Sequence, residues 1–259
     1  MRVLIIAPTN FQSYASSVLI KLIEDPSIEV VGVLLHKLTF KRFKNEFKRD
    51  GRRIFTKILN KAILGEKKSL SYNFRTPKKV LTDSGVKADL KGICKSNNLY
   101  FKEVRLFNSS KLSKELSELK PDIGAFCGGG LLRDNFLNSF SFGVLNCHMG
   151  ILPKYRGMDV VEWPFLENDR LNVGVTCHLM DKGIDTGDIL EIVKVDPKRF
   201  TSFIDLREYL SGVMHNLMLK NISSIASGDY KKIKQLQNEG RQYFVMHPLL
   251  KKIAIKKYK

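Results

Sequence analysis

MRVLIIAPTN (residues 1–10) opens the chain, and the fold is read from it outward. Met1 to Ala7 is a short apolar run, Tyr14 to Ile23 repeats apolar residues at helical spacing, and Val30 to Leu35 is again short, apolar and β-branched. Strand, helix and strand in succession make the β-α-β unit that opens a parallel sheet. Only five consecutive strongly apolar positions precede Pro8, too few for the core of a secretion signal. No apolar run is long enough to cross a membrane. A cytoplasmic protein is therefore expected.

Many β-α-β openings bind dinucleotides, but here the loop Ala7-Pro8-Thr9-Asn10-Phe11 contains no glycine, and nothing in it offers the close backbone approach that a pyrophosphate needs. Alternation continues further along. Lys87 to Ser96 and Ser109 to Leu119 are read as helices, Tyr100 to Val104 and Gly143 to Cys147 as strands. Ile123 to Cys127 is a strand ending in Gly128-Gly129-Gly130, a triplet that is either a tight turn or bare backbone for a flat ligand. Val173 to Met180 and Ile189 to Val195 are strand-like, and Ser202 to Ile225 is the longest helical pattern. The pattern predicts an α/β chain: a Rossmann-like, mostly parallel sheet with helices on both faces. A body over residues 1–230 and a basic tail over 231–259 are expected.

The net charge of +18 is not spread evenly. Residues 37–79 hold fifteen Lys or Arg against Glu46, Asp50 and Glu66, a net of +12, and residues 231–259 hold nine against Glu239, a net of +8. The other 187 residues come to −2, so charge concerns two additions and not the fold. Within the first, Phe40, Phe43 and Phe47, then Ile54, Phe55, Ile58, Leu59 and Ile63, recur at helical spacing among basic residues. That pattern fits a helical insertion packed on the body, a platform for an anionic membrane surface, or a grip on RNA. Ser69 to Lys79, with Gly65 before it and Pro77 inside it, is read as a loop returning to the fold. Cys94, Cys127, Cys147 and Cys177 are too far apart for a CxxC pair, so buried reduced thiols are expected, with no metal site.

Chemistry is concentrated in Asn146-Cys147-His148-Met149-Gly150-Ile151-Leu152-Pro153-Lys154-Tyr155-Arg156-Gly157, in Gly174-Val175-Thr176-Cys177-His178 and in Asp181-Lys182-Gly183-Ile184-Asp185-Thr186-Gly187-Asp188-Ile189. Side-chain alternation along a strand sends Asn146 and His148 to one face and Cys147 to the other. Gly183 and Gly187 bracket a loop that can return Asp185 to the same crevice. Such a set suits acyl transfer to an amine. The Asn amide donates to a developing oxyanion, an interaction worth ~3 kcal/mol in comparable sites. The imidazole donates or moves protons, and the carboxylate takes the amine proton. With no Ser or Cys placed as nucleophile, direct attack by the amine is the simpler course, and activity falls as acid protonates that amine.

This ordered set resembles the formyltransferases that use 10-formyltetrahydrofolate, a family that includes methionyl-tRNA formyltransferase, glycinamide ribonucleotide transformylase and the N-formyltransferases of nucleotide-linked amino sugars. The resemblance runs over residues 1–35 and 98–225 and is strongest from Asn146 to Ile189. It implies that Asn146, His148 and Asp185 are catalytic. It also implies that Gly129, Gly130, Leu131 and Leu132 line one wall of the folate pocket, with Asp181, Gly183 and Ile184 on the other. Lys154, Tyr155, Arg156, Gly157 and Trp163 are the expected acceptor contacts. Where the family has Ser-Leu-Leu-Pro this chain has Gly150-Ile151-Leu152-Pro153, so a hydroxyl near the site is missing. The glycine loop of the ribonucleotide enzyme is absent, and the C-terminal segment is shorter than the barrel of the tRNA enzymes.

The expected acceptor is therefore an amine on a nucleotide-linked amino sugar. An aminoacyl-tRNA gripped by the two basic segments is the alternative, and an inactive scaffold binding RNA or a membrane surface is a third reading. A homodimer is also expected.

Overall fold

The computed structural model describes residues 1–37, 75–236 and 238–258. The amphipathic stripe from Phe40 to Ile63, and with it the insertion's expected contact with membrane or RNA, lies outside the described residues.

Three elements form the predicted opening: β1 (Arg2–Ala7), α1 (Ser13–Ile23) and β2 (Glu29–His36). After α2 (Arg75–Asp83) and α3 (Leu90–Ser96) come β3 (Tyr100–Val104), α4 (Ser110–Leu119) and β4 (Ile123–Phe126). Then follow α5 (Asp134–Leu137), β5 (Gly143–His148), β6 (Tyr155–Gly157), α6 (Trp163–Leu166), β7 (Gly174–Leu179) and β8 (Ile189–Lys194). The long α7 (Phe203–Ser227), β9 (Arg241–Tyr243) and α8 (Pro248–Tyr258) complete the chain.

The main sheet has the order β3-β2-β1-β4-β5-β7-β8. From β3 to β5 all pairs are parallel, and β5–β7 and β7–β8 are antiparallel. Apolar runs without alternation explain the parallel part, because both of its faces are covered. Val3, Ile5, Val33 and Leu35 face a core shared with α1 and α7, while Leu4, Ile6, Leu34 and Val144 face a second core with Leu112, Leu116 and Phe136.

Two expectations need correction. The described part of the stretch read as a returning loop is α2, wedged against α1 and α7. Pro77 falls in its first turn, where the missing N–H has no partner to lose, and Leu81 is buried. The residues expected as a basic tail fold back onto the body. Residues Arg241–Tyr243 pair with β6 in a small second sheet, Ala254 is buried, and Tyr258 Oη donates to the carbonyls of Pro197 (2.9 Å) and Phe200 (2.8 Å). Among the described residues no helix is long and apolar enough to cross a membrane, and all four cysteines are free and buried.

Candidate active site

Cross-strand register assembles the site. β5 and β7 pair Asn146 with His178, Cys147 with Cys177 and His148 with Thr176. Directly opposed residues of an antiparallel pair share a face, so Asn146, His148, Thr176 and His178 form one polar patch. Cys147 and Cys177 point the other way, into the core with α1 and α7. Burial pushes the Cys147 and Cys127 thiols up, away from nucleophilic thiolate.

Hydrogen bonds fix each group on that patch. His178 Nδ1–H donates to the Leu179 carbonyl at 2.8 Å, which leaves Nε2 to accept from Asn146 Nδ2 at 3.1 Å. The second Asn146 N–H remains for a ligand. His148 Nε2–H donates to the Tyr155 carbonyl at 2.8 Å, and its bare Nδ1 faces Asp185 Oδ2 at 3.5 Å. Asp185 Oδ1 lies 3.5 Å from His178 Nε2, and Oδ2 accepts from the Gly157 N–H at 2.8 Å. The carboxylate thus lies within 3.5 Å of one ring nitrogen of each imidazole.

Burial alone would push the Asp185 carboxyl up, but the His148 charge, His178 and the Gly157 N–H outweigh it and hold it at about 2. Burial lowers His148, against an opposing pull from Asp185. At neutral pH the pair is an ionised carboxylate beside a neutral imidazole.

The loop carrying Asp185 leaves β7 beside Val144, where Met180 N donates to the Val144 carbonyl at 2.7 Å, and it folds back along the sheet face. Asp181 Oδ1 shapes it by accepting from Gly183 N (2.9 Å) and Thr186 Oγ1 (2.6 Å). Beyond His148, Thr176 Oγ1 donates to the Gly150 carbonyl at 2.7 Å and accepts from Leu152 N at 3.2 Å. A Cβ at Gly150 would stand 2.7 Å from His148 Nε2 and 2.8 Å from the Tyr155 carbonyl. The missing hydroxyl thus has a steric cause in this chain. Gly157, at φ +96°, needs glycine too, because any Cβ would overlap the Tyr243 carbonyl.

The residues expected to line the folate pocket are unequally exposed. Leu131 (59% exposed) and Ile184 (39%) offer apolar surface, one on each loop. Leu132 is core, packed with Phe107 and Phe136, so only its backbone can meet a ligand. Gly130 lies against the His36 ring and Gly129 against Phe107 and Phe126. Among the acceptor candidates, Lys154 is exposed with Nζ 2.6 Å from Asp169 Oδ2. Tyr155 is a correction: it is fully buried, stacked on Tyr243 at 5.2 Å, with Oη donating to Asp169 Oδ2 at 2.7 Å. Trp163 packs on the same Tyr243 and donates to the Phe244 carbonyl at 3.3 Å, which puts it in this small aromatic core rather than beside a base or sugar. Arg156 is buried against Gln235.

Gln235 escaped the sequence reading, and Thr176 and His178, though inside a stretch it singled out, were given no role by it. The alternation Thr176, His178 is visible within Gly174–Leu179, but only the antiparallel register with β5 gives it meaning.

With this geometry in place, comparison with known proteins identifies relatives. A family model described as formyl transferase matches residues 55–220. Methionyl-tRNA formyltransferase of Clostridium acetobutylicum is 30% identical over 154 residues, covering 59% of this chain and 49% of that protein. The chain therefore spans about half the length of that curated relative. In fold it is similar to the N-formyltransferase of Helicobacter canadensis, solved with folinic acid and dTDP-3-aminofucose: TM-score 0.55, 19% identity, covering 94% of this chain and 70% of that one. It is similar likewise to phosphoribosylglycinamide formyltransferase of Anaplasma phagocytophilum: TM-score 0.59, 14% identity, covering 95% and 98%.

Proposed function

We propose, from the premise that this chain belongs to the formyl transferase family, that it moves a formyl group from 10-formyltetrahydrofolate to a primary amine. The observation that carries the reading is the Asp185 carboxylate held 3.5 Å from both His148 and His178, on the face that Asn146 shares. The apolar Leu131 and Ile184 side chains, exposed on their two loops, suit a flat pterin ring.

The chain's own groups divide the work. Asn146, its amide locked by His178, presents its free N–H to the formyl oxygen as that oxygen gains charge. Asp185, ionised, accepts the proton that the attacking nitrogen sheds, directly or through one water. His148 Nδ1, facing the carboxylate, can take up that proton and return it to the departing folate nitrogen, so no net proton stays on the protein. As His148 gains charge it would add a second donor and remain stabilised by Asp185 and the Tyr155 carbonyl.

For the acceptor we favour an amino sugar carried on a nucleotide. Support comes from two sides: the Helicobacter canadensis enzyme, solved with dTDP-3-aminofucose, shares this fold over 94% of this chain, and the loop after β1 lacks the glycines that the resemblance associates with the ribonucleotide enzyme. The aminoacyl-tRNA reading keeps its own support, the 30% identity of that match and the +12 charge of residues 37–79. A formyl-transfer assay with 10-formyltetrahydrofolate against nucleotide-linked amino sugars and charged initiator tRNA, followed by folate absorbance, tests both. Turnover with a sugar is the expected result. Turnover with tRNA alone selects the second reading, and a wild-type protein that binds no folate overturns both.

A further inference from the structure

Gln235 lies in the described stretch between α7 and β9, and no step above uses it. It is buried at 8% exposure. Its Nε2 donates to two carbonyls of the Asp185 loop, that of Asp185 at 3.1 Å and that of Gly187 at 2.6 Å. Its Oε1 accepts from Arg156 Nη2 at 3.1 Å. One primary amide has two N–H donors and one carbonyl, and all three are engaged between the catalytic loop and the strand that follows His148.

The two ends of the stretch are fixed by backbone bonds. On one side Ile233 and Ile189 exchange hydrogen bonds of 2.8 Å, at the point where the Asp185 loop enters β8. On the other side β9 pairs with β6, whose Gly157 N–H holds Asp185 Oδ2. Gln235 is therefore delivered to the loop by the fold and not by a flexible arm.

The loop needs such a hold. Asp185 has φ +55°, the left-handed region, which costs a non-glycine residue roughly 1–2 kcal/mol. The Gly157 N–H bond aims its carboxylate at the two imidazoles, but the backbone beneath it is held from the C-terminal side by Gln235. Arg156 is 7% exposed, and no ion pair involves it among the described residues, so its guanidinium leans on the Gln235 and Leu236 oxygens.

We propose that Gln235 is a positioning residue, clamping the Asp185 and Gly187 carbonyls so that the Asp185 carboxylate stays over His148 and His178. The C-terminal segment is then a working part of the site. This rests on the reading of Asp185 as the proton acceptor. Misplacement of a reacting group by about 1 Å can cost about 100-fold in rate, so the clamp has something to protect.

Gln235→Glu separates docking from clamping: an ionised Glu pairs with Arg156 and keeps the segment seated, but it has no N–H for the two carbonyls. Gln235→Met removes every polar contact at similar size and serves as the second variant. The thermal midpoint of Gln235→Glu should stay near wild type while kcat falls about 10- to 100-fold, with KM for 10-formyltetrahydrofolate little changed. In ligand-free protein, the NMR titration of His148 should move to lower pH in Gln235→Met, which adds no charge, because the carboxylate that favours the charged form has shifted. A folded variant with wild-type kcat and an unmoved His148 titration overturns the clamp. A moved titration in a protein whose wild type transfers no formyl group keeps the clamp and overturns the function.

Discussion

On β1 and β2 the chain buries Val3, Leu4, Ile5, Ile6, Val33 and Leu34, all at 0% exposure. On β5 and β7 it buries His148, Thr176 and His178 at 8% or less beside a half-buried Asn146. The first region is held by shape and area, which tolerate exchange among apolar residues of similar volume. The second is held by named donors and acceptors with specific partners, where a single atom exchanged leaves something unpaired. Stability and chemistry are thus written in different halves of one sheet, and substitutions should separate them.

The largest effect belongs to the polar half. Asp185→Asn keeps an oxygen for the Gly157 N–H but removes the charge proposed to accept a proton. Turnover should fall about 10²- to 10⁴-fold, far more than loss of the carboxylate's stabilising charge explains, with the circular dichroism spectrum close to wild type. Near-normal kcat in a folded Asp185→Asn protein would break the division between the two regions.

Leu34→Ala is the mirror experiment. Leu34 is fully buried in the core it shares with Leu4, Ile6, Phe107 and Phe136. Removing it should cost about 2–5 kcal/mol of unfolding free energy, read from denaturant melts, while kcat per folded molecule stays at the wild-type value. Loss of kcat out of proportion to unfolded protein would show that the parallel half also tunes the site.

This division also explains what could be read in advance. Burial on both faces makes β1 and β2 continuous apolar runs, and that signal needs no partner to interpret. Asn146, His148 and Asp185 were legible because an ordered motif carries them. His178 was not, since its role depends on lying opposite Asn146 in an antiparallel pair. Gln235 was further from reach: no local pattern marks a residue whose partners are the backbone carbonyls of Asp185 and Gly187. Tyr155 was misplaced for a related reason, as a motif position names a residue but not the side of β6 to which its ring turns.

Acid should erode the buried polar groups in two steps. His148 and His215 are both lowered by burial, so the folded protein prefers them neutral. Their contribution is complete above the ordinary histidine value of 6.5 and is lost as pH falls below it. Asp185 follows: held at about 2 against an ordinary 3.8, it contributes stability above 3.8 that disappears as pH approaches 2, on the order of 2 kcal/mol. Denaturant midpoints between pH 5 and 2.5 should fall more steeply for wild type than for Asp185→Asn, and parallel curves would refute the assignment.

The smallest effect returns to the apolar half, where β3 forms the edge of the sheet. There Lys102 pairs with Glu115 of α4, both side chains about one-third exposed (34% and 30%). The same residue types meet at Lys251 and Glu162, 2.9 Å apart, with Glu162 at 0% exposure and also paired to Arg207. Water already screens the first pair, so little is gained by making it and little lost by breaking it; the second has no water to fall back on. Lys102→Ala should therefore change unfolding free energy by roughly 0.2–1 kcal/mol, and added salt should shrink that difference further. A cost of several kcal/mol would mean that polar contacts help hold the parallel half as well, and the contrast between the two regions would then be one of burial and not of chemistry.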